Sequence, residues 1–138
     1  VCMKGAVIAV GRLLSRLEFP LTLDYGHATR CRGTTSGEDL QWLHRPAASV
    51  HGRQVLVEND ILDAGVTLDA VVRACRENGA ANVHTAVLVE KTREHTHDFK
   101  ADFVGVQFPD RYLFGCGLDY LGYFRNVDGI YAVADEDV

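Results

Sequence analysis

One run of residues holds chemistry that residue type and spacing can suggest: Val55-Leu56-Val57-Glu58-Asn59-Asp60-Ile61-Leu62-Asp63-Ala64-Gly65-Val66-Thr67. An apolar stretch delivers acids and a glycine to the start of a helix. That arrangement suits a phosphate. Backbone N–H groups of a first helical turn have no partner and point outward, and the helix dipole favours an anion. Gly65 lets the main chain approach closely, and the Thr67 hydroxyl adds a donor. The acids upstream could hold sugar hydroxyls or a magnesium ion. The same spacing also describes an ordinary strand–loop–helix connection with an acidic cap, because Asp and Thr are common caps.

The elements that must position this run follow from periodicity. Val7, Val10, Leu13, Leu14 and Leu17 form an apolar stripe that predicts a helix over 7–17, ended by Pro20. Residues 21–25 alternate as a short strand would. From 30 to 53 the pattern dissolves into Gly, Thr, Ser, Arg and Pro, which reads as a long mobile loop, a lid or binding loop, with a short hairpin around 40–43 as the other reading. Val55, Leu56 and Val57 open a buried strand. Leu68, Val71, Val72 and Cys75 share one face of the next helix, which Gly79 closes in a left-handed conformation. Residues 83–89 are the following strand, so the unit is strand–helix–strand and the fold class is α/β with a mostly parallel sheet. Short apolar runs at 103–108, 112–114 and 130–133 complete the chain.

Composition limits the setting. The 138 residues, 47% hydrophobic and 24% charged, suit one globular domain, without repeat or linker, which buries roughly two-thirds of its unfolded surface. Fourteen basic against nineteen acidic residues, a net charge of −5, argue against a general electrostatic grip on nucleic acid. No apolar run approaches the ~20 residues of a membrane helix, and the first residues lack the pattern of a signal peptide, so a cytoplasmic protein without a membrane partner is expected. Cys2, Cys31, Cys75 and Cys116 are scattered and read as free thiols. His95 and His97 read as part of a solvated loop. His27, His44, His51 and His84 receive no catalytic role, Tyr123 and Phe124 read as packing residues, and the acidic residues 135–137 as a solvated tail.

With these elements in place, residues 55–67 resemble the phosphoribosyl pyrophosphate motif of type I phosphoribosyltransferases, two acids followed by a D-x-G-x-T loop. Four further stretches narrow the resemblance to the hypoxanthine-guanine enzymes, in wording closest to their bacterial branch. They are Met3-Lys4-Gly5, Val87-Leu88-Val89-Glu90-Lys91, Ala101-Asp102-Phe103-Val104-Gly105, and the long run from Pro109-Asp110-Arg111-Tyr112-Leu113 through Gly117-Leu118-Asp119-Tyr120 to Tyr123-Phe124-Arg125-Asn126. The resemblance covers essentially the whole chain and implies a Rossmann-like core with a flexible lid loop. It also implies a purine-salvage reaction that converts hypoxanthine, or guanine, plus phosphoribosyl pyrophosphate to the nucleotide and pyrophosphate, with magnesium as cofactor and a homodimer or homotetramer as the assembly.

The resemblance assigns roles residue by residue. Ala64, Gly65, Val66 and Thr67 would cradle the 5′-phosphate, and Asn59 and Asp60 would face the ribose hydroxyls near the magnesium-bound diphosphate. Asp63 would be the catalytic residue, sitting by purine N7 as proton acceptor or stabiliser. Lys91 would donate to the 6-oxo group, Tyr112 would stack on the purine, and the Leu113 backbone would pair with the base edge. Asp60 and Asp119 would serve magnesium, and Arg125 would hold pyrophosphate oxygens. Lys4 and Gly5 match a loop in which the family keeps a cis peptide that exposes N–H groups to pyrophosphate. Residues 30–53 would close over the charged intermediate and exclude water.

Three departures stand out. Asn59 replaces an acid and brings no charge toward magnesium, which predicts weakened binding of the diphosphate substrate; strand alternation should aim Glu58 away from the ribose. Cys31 stands in the lid where the family tends to have tyrosine, with Arg30 left as a possible phosphate contact, and Ala64 removes a polar side chain. The rival to catalysis is a nucleotide-binding regulatory protein on the same fold. Met3-Lys4-Gly5 in the family follows an N-terminal helix and strand, so the expectation is a single domain over 1–138 lacking its N-terminal part, poorly stable and weakly active by itself.

Overall fold

In the computed structural model, residues 4–30, 40–92 and 99–134 are described, with Lys4, Thr29, Arg30 and Leu40 as backbone only. The expectations for Cys2, Met3, Cys31, the middle of the lid, His95, His97 and the acidic tail lie outside the described residues, as do those for the Lys4 and Arg30 side chains.

Three strands make the central sheet: β3 (Gln54–Leu62), β4 (Asn82–Thr92) and β5 (Phe103–Pro109), in the order β3-β4-β5 and all parallel. The helix α2 (Val66–Glu77) crosses from β3 to β4. Its apolar stripe Leu68, Val71 and Val72 is buried, and it packs with Val57, Leu62 and Val87 into one core. Gly79, with φ of 83°, ends that helix as the sequence predicts, while the N–H of Ala80 donates to the Cys75 carbonyl at 3.1 Å. Ahead of the sheet lie α1 (Val7–Leu14) and an antiparallel hairpin of β1 (His27–Arg30) with β2 (Leu40–His44). Residues 40–44, read from the sequence as part of a long loop or as a short hairpin around 40–43, are instead one strand whose partner lies at 27–30, and Ala28 and Trp42 carry the pair onto the α2 side of the core. After the sheet, β6 (Leu113–Phe114) pairs antiparallel with β7 (Tyr131–Ala132). A second core of Val89, Leu113 and Leu118 fastens this hood to the end of β4.

Two expectations need correction. The first helix runs only to Leu14: beyond it, Arg16 and Leu17 donate to the carbonyls three residues back, at 2.9 and 3.2 Å, so the apolar stripe continues into a turn. Residues 21–25 are not a strand. Asp24 supplies the hydrogen bonds a ladder would have made, accepting from the N–H of Ala48 at 2.6 Å and of Tyr25 at 2.8 Å, and Leu21 and Leu23 stay exposed. These residues, α1 and the outer edge of β3 enclose an apolar groove of about 510 Å3 that Glu58 lines. None of residues 59–67 reaches it. Cys75 is half-buried and Cys116 buried, both as free thiols.

Candidate active site

Polar chemistry gathers at the C-terminal ends of β3 and β4, where the parallel strands stop and the α2 N-terminus opens. This is where ligands bind in open α/β sheets. Asp60 is the buried acid of the group at 9% exposure, and burial raises its pKa above the ordinary carboxylate value. The Ile61 N–H, donating to Oδ1 at 2.9 Å, and the positive charge of Arg125 oppose that rise, while Asp119 adds to it.

Close backbone packing surrounds this acid. A Cβ on Gly5 would stand 1.6 Å from Asp60 Oδ2, and a Cβ on Gly117 would stand 1.8 Å from the Gly5 carbonyl oxygen. A side chain on Gly5 would displace the Asp60 carboxylate, while the backbone contact at Gly117 excludes any side chain, and Gly117 also has φ of 103°. Arg125 secures the stack: one guanidinium nitrogen donates to the Gly117 carbonyl at 2.7 Å, and the other pairs with Asp119 Oδ1 at 2.6 Å. The second Asp119 oxygen accepts the Gly122 N–H at 2.7 Å. Asp60, Gly5, Gly117, Asp119 and Arg125, from three separate parts of the chain, thus form one constellation. The turn Lys4–Ala6 is a 3-10 helix and all described peptide bonds are trans, so the cis peptide expected at Lys4-Gly5 is absent: the turn's tight i to i+3 path brings Gly5 beside Asp60 with the ordinary isomer.

The Asn59 amide folds back, its Nδ2 donating to the Ile61 carbonyl at 3.1 Å, and its Oδ1 is buried without a partner. Asp63, Ala64 and Gly65 form the loop into α2. Gly65 is the N-cap with φ of 78°, no side chain caps the helix, and its carbonyl accepts the Asp69 N–H at 2.9 Å. Val66 and Thr67 begin the helix, so their N–H groups belong to the unpaired first turn.

The remaining candidates sit on β4 and the hood. Lys91, its side chain 16% exposed, pairs through Nζ with Asp110 Oδ1 at 3.0 Å. Tyr112 is 44% exposed and meets the edge of Tyr120 at 89°, with ring centroids 5.6 Å apart. Leu113 is buried and opposite Ala132; because the adjacent Tyr112 carbonyl takes the Val133 N–H, ladder alternation turns the Leu113 N–H and C=O away from β7. Asp110, Gly117 and Tyr120 stand within the sequence motifs without assigned roles, and only their spatial partners, Lys91, Gly5 and Tyr112, single them out.

Comparison with known proteins agrees with this geometry. Residues 2–121 match the phosphoribosyl transferase domain family. The chain is 32% identical over 126 residues to a hypoxanthine-guanine phosphoribosyltransferase of Bacillus subtilis and 30% identical to one of Staphylococcus epidermidis, in each case spanning 91% of this chain and 70% of the relative. A crystal structure of a hypoxanthine phosphoribosyltransferase from Staphylococcus aureus superposes with a TM-score of 0.90 at 26% identity, covering 98% of this chain and 74% of the other. A Trypanosoma cruzi hypoxanthine phosphoribosyltransferase variant in its ternary substrates complex superposes at 0.89 and 25% identity, with the same coverage of both chains. With the motif order, the sheet and the glycine-lined constellation all in agreement, the chain belongs to the type I phosphoribosyltransferases, in their hypoxanthine-guanine family of purine-salvage enzymes.

Proposed function

We propose that the site at the ends of β3 and β4 moves the ribosyl phosphate of phosphoribosyl pyrophosphate onto N9 of hypoxanthine, or of guanine, and releases pyrophosphate. The constellation of Asp60, Gly5, Gly117, Asp119 and Arg125 at the C-terminal end of β3 is the observation that carries this reading, because it sets a cation and two carboxylates against closely packed glycine backbone.

In this reading the backbone of residues 64–67 and the Thr67 hydroxyl hold the 5′-phosphate. Asp60 takes ribose hydroxyls, with Asn59 offering only an amide. The N–H groups of Lys4 and Gly5 and the Arg125 guanidinium hold the diphosphate that leaves. As the C1′–O bond to the diphosphate breaks and N9 bonds to C1′, positive charge develops on the ribose ring, so charge on both departing and entering groups must be managed. Asp63 accepts the proton at purine N7. Lys91 donates to the 6-oxo group, and its pairing with Asp110 keeps the ammonium at the end of β4. Tyr112 stacks on the base with its orientation set by Tyr120, and the outward Leu113 backbone meets the base edge.

The donor set suits magnesium. A buried carboxylate whose pKa burial has raised gains from a neighbouring cation, and Asp60 with Asp119 provides two oxygen-bearing groups, with no cluster of three metal-ligating side chains among the described residues. Magnesium takes one or two carboxylates and completes its shell with water and substrate phosphates. When bound, it would neutralise the diphosphate; Asp60 and Asp119 are the residues that would hold it. Among the described residues no helix is long and apolar enough to cross a membrane. A cytoplasmic location and a homodimer or homotetramer complete the reading, and light scattering checks the assembly.

The test is direct. The full chain is incubated with hypoxanthine, phosphoribosyl pyrophosphate and magnesium, and inosine monophosphate is measured by chromatography. Product that depends on all three components is expected. Retained nucleotide binding with no product would overturn catalysis and leave the regulatory reading.

A further inference from the structure

The loop into α2 ends on Gly65 as an N-cap without a side-chain capping hydrogen bond, and packing support reaches it from elsewhere in the chain. The space that a side chain on Gly65 would need is taken by Phe99: its Cβ lies 3.0 Å and its Cδ1 3.6 Å from the position of a Gly65 Cβ, with Leu62 Cδ1 at 3.5 Å. Phe99 also packs against the core that contains Val57, Leu62, Leu68 and Val71, so it is fixed from behind. Three residues further on, Asp102 is tied to β4. Its Oδ2 accepts from the N–H of Thr85 at 2.7 Å and the Thr85 hydroxyl at 2.9 Å, and its own N–H donates to that hydroxyl oxygen at 3.0 Å. The segment 99–102 is therefore anchored on the sheet at one end and presses the back of the loop at the other.

We propose that Phe99 is a positioning residue for the phosphate loop, packing behind Gly65 to hold the backbone of residues 64–67 in the conformation that receives a 5′-phosphate. The proposal rests on the reading of these residues as the phosphate loop and extends it to a side chain outside the motif. A site made of backbone N–H groups binds well only if those groups already converge, since otherwise binding must order the loop. Gly65, with φ of 78°, has wide conformational freedom when unsupported. Phe99 removes that freedom from the core side and leaves the N–H groups open. A ligand without the phosphate makes no use of the N–H groups of residues 64–67 and meets the loop only through the Asp63 side chain, two residues from the Phe99 contact, so it loses far less.

Calorimetry with the full chain separates these effects, using inosine monophosphate and inosine, which differ only by the 5′-phosphate. Phe99→Ala is expected to weaken the monophosphate about tenfold while inosine stays within about twofold, and Phe99→Leu, which keeps bulk behind Gly65, recovers most of the loss. If the alanine variant fails to fold, Phe99→Val carries the same expectation. Equal weakening of both ligands, or no weakening of either, overturns the proposal. Thr67→Val tests the underlying reading separately. If it leaves the monophosphate's advantage over inosine unchanged, the phosphate-loop reading falls and this proposal with it; if it reduces that advantage and the Phe99 variants do not, only the role of Phe99 falls.

Discussion

Gly117 rests against the carbonyl of Gly5 so closely that a Cβ would come within 1.8 Å of the oxygen. The contact joins the hood to the turn that opens the chain's first helix, and Arg125 locks it by taking the Gly117 carbonyl at 2.7 Å. Gly117→Ala must push these backbones apart and also place a side chain at φ of 103°. Overpacking of this kind costs about 1–3 kcal/mol of stability. Because the displaced groups are those assigned to the diphosphate, kcat/KM for phosphoribosyl pyrophosphate should fall by about a hundredfold, or ~2.7 kcal/mol of transition-state stabilisation. Steady-state kinetics and a denaturant titration check both effects.

Asp60 stands beneath Gly5, with burial holding its pKa above the ordinary value. A raised carboxyl pKa in the folded state favours folding below the unfolded pKa, and that contribution disappears as pH rises through the folded value. At neutral pH the ionised form is therefore a burden on the unliganded protein. Asp60→Asn keeps an oxygen for the Ile61 N–H while removing the charge. The variant should melt higher than the parent at pH 7, with the advantage shrinking as pH falls and Asp60 protonates, and it should turn over at least a hundredfold more slowly. Melting curves across that pH range with matched assays read it, and a lower melting temperature at pH 7 contradicts the expectation.

Asn59 poses the opposite balance. Its Oδ1 is buried without a partner, and its Nδ2 holds the Ile61 carbonyl at 3.1 Å. Asn59→Asp loses that donor and adds a second charge beside Asp60, so the free protein should lose about 1–3 kcal/mol. The same charge favours the magnesium-bound diphosphate, and the Michaelis constant for phosphoribosyl pyrophosphate should fall. A constant that does not fall refutes the idea that Asn59 weakens substrate binding.

Local signals carried much of this fold. The stripe of Leu68, Val71 and Val72, the β-branched run of β4 and the turn at Gly79 each report on neighbouring residues, and each reads through to the structure. Residues 21–25 misled because alternation marks a strand only where another strand is at hand to pair, and here Asp24 bonds the Ala48 N–H instead. The end of α1 misled for a related reason: Leu17 continues the apolar stripe, but the hydrogen bonds have already tightened to a turn. At the site, motif order nominates Asp60, Lys91 and Arg125 as candidates, whereas Phe99, Asp110 and Thr85 stand out only through contacts with residues far along the chain.

The tie between Thr85 and Asp102 yields the last prediction, with a pH dependence opposite in sign to that of Asp60. The Thr85 N–H, followed by its hydroxyl, lowers the Asp102 pKa, and burial only partly opposes them. A carboxylate with a depressed folded pKa stabilises the fold above its unfolded pKa, and the contribution is lost as pH falls through the folded value. Thr85 is 2% exposed, so Thr85→Val keeps the packing shape but removes the hydroxyl that both donates to and accepts from Asp102. The variant should be less stable by about 1 kcal/mol at neutral pH. The gap should narrow as Asp102 becomes protonated in the parent, below its ordinary value of 3.8. Denaturant midpoints for parent and variant from pH 7 downward measure it, and a gap that stays constant or widens toward acid would show that the hydroxyl contributes through packing rather than through the carboxylate.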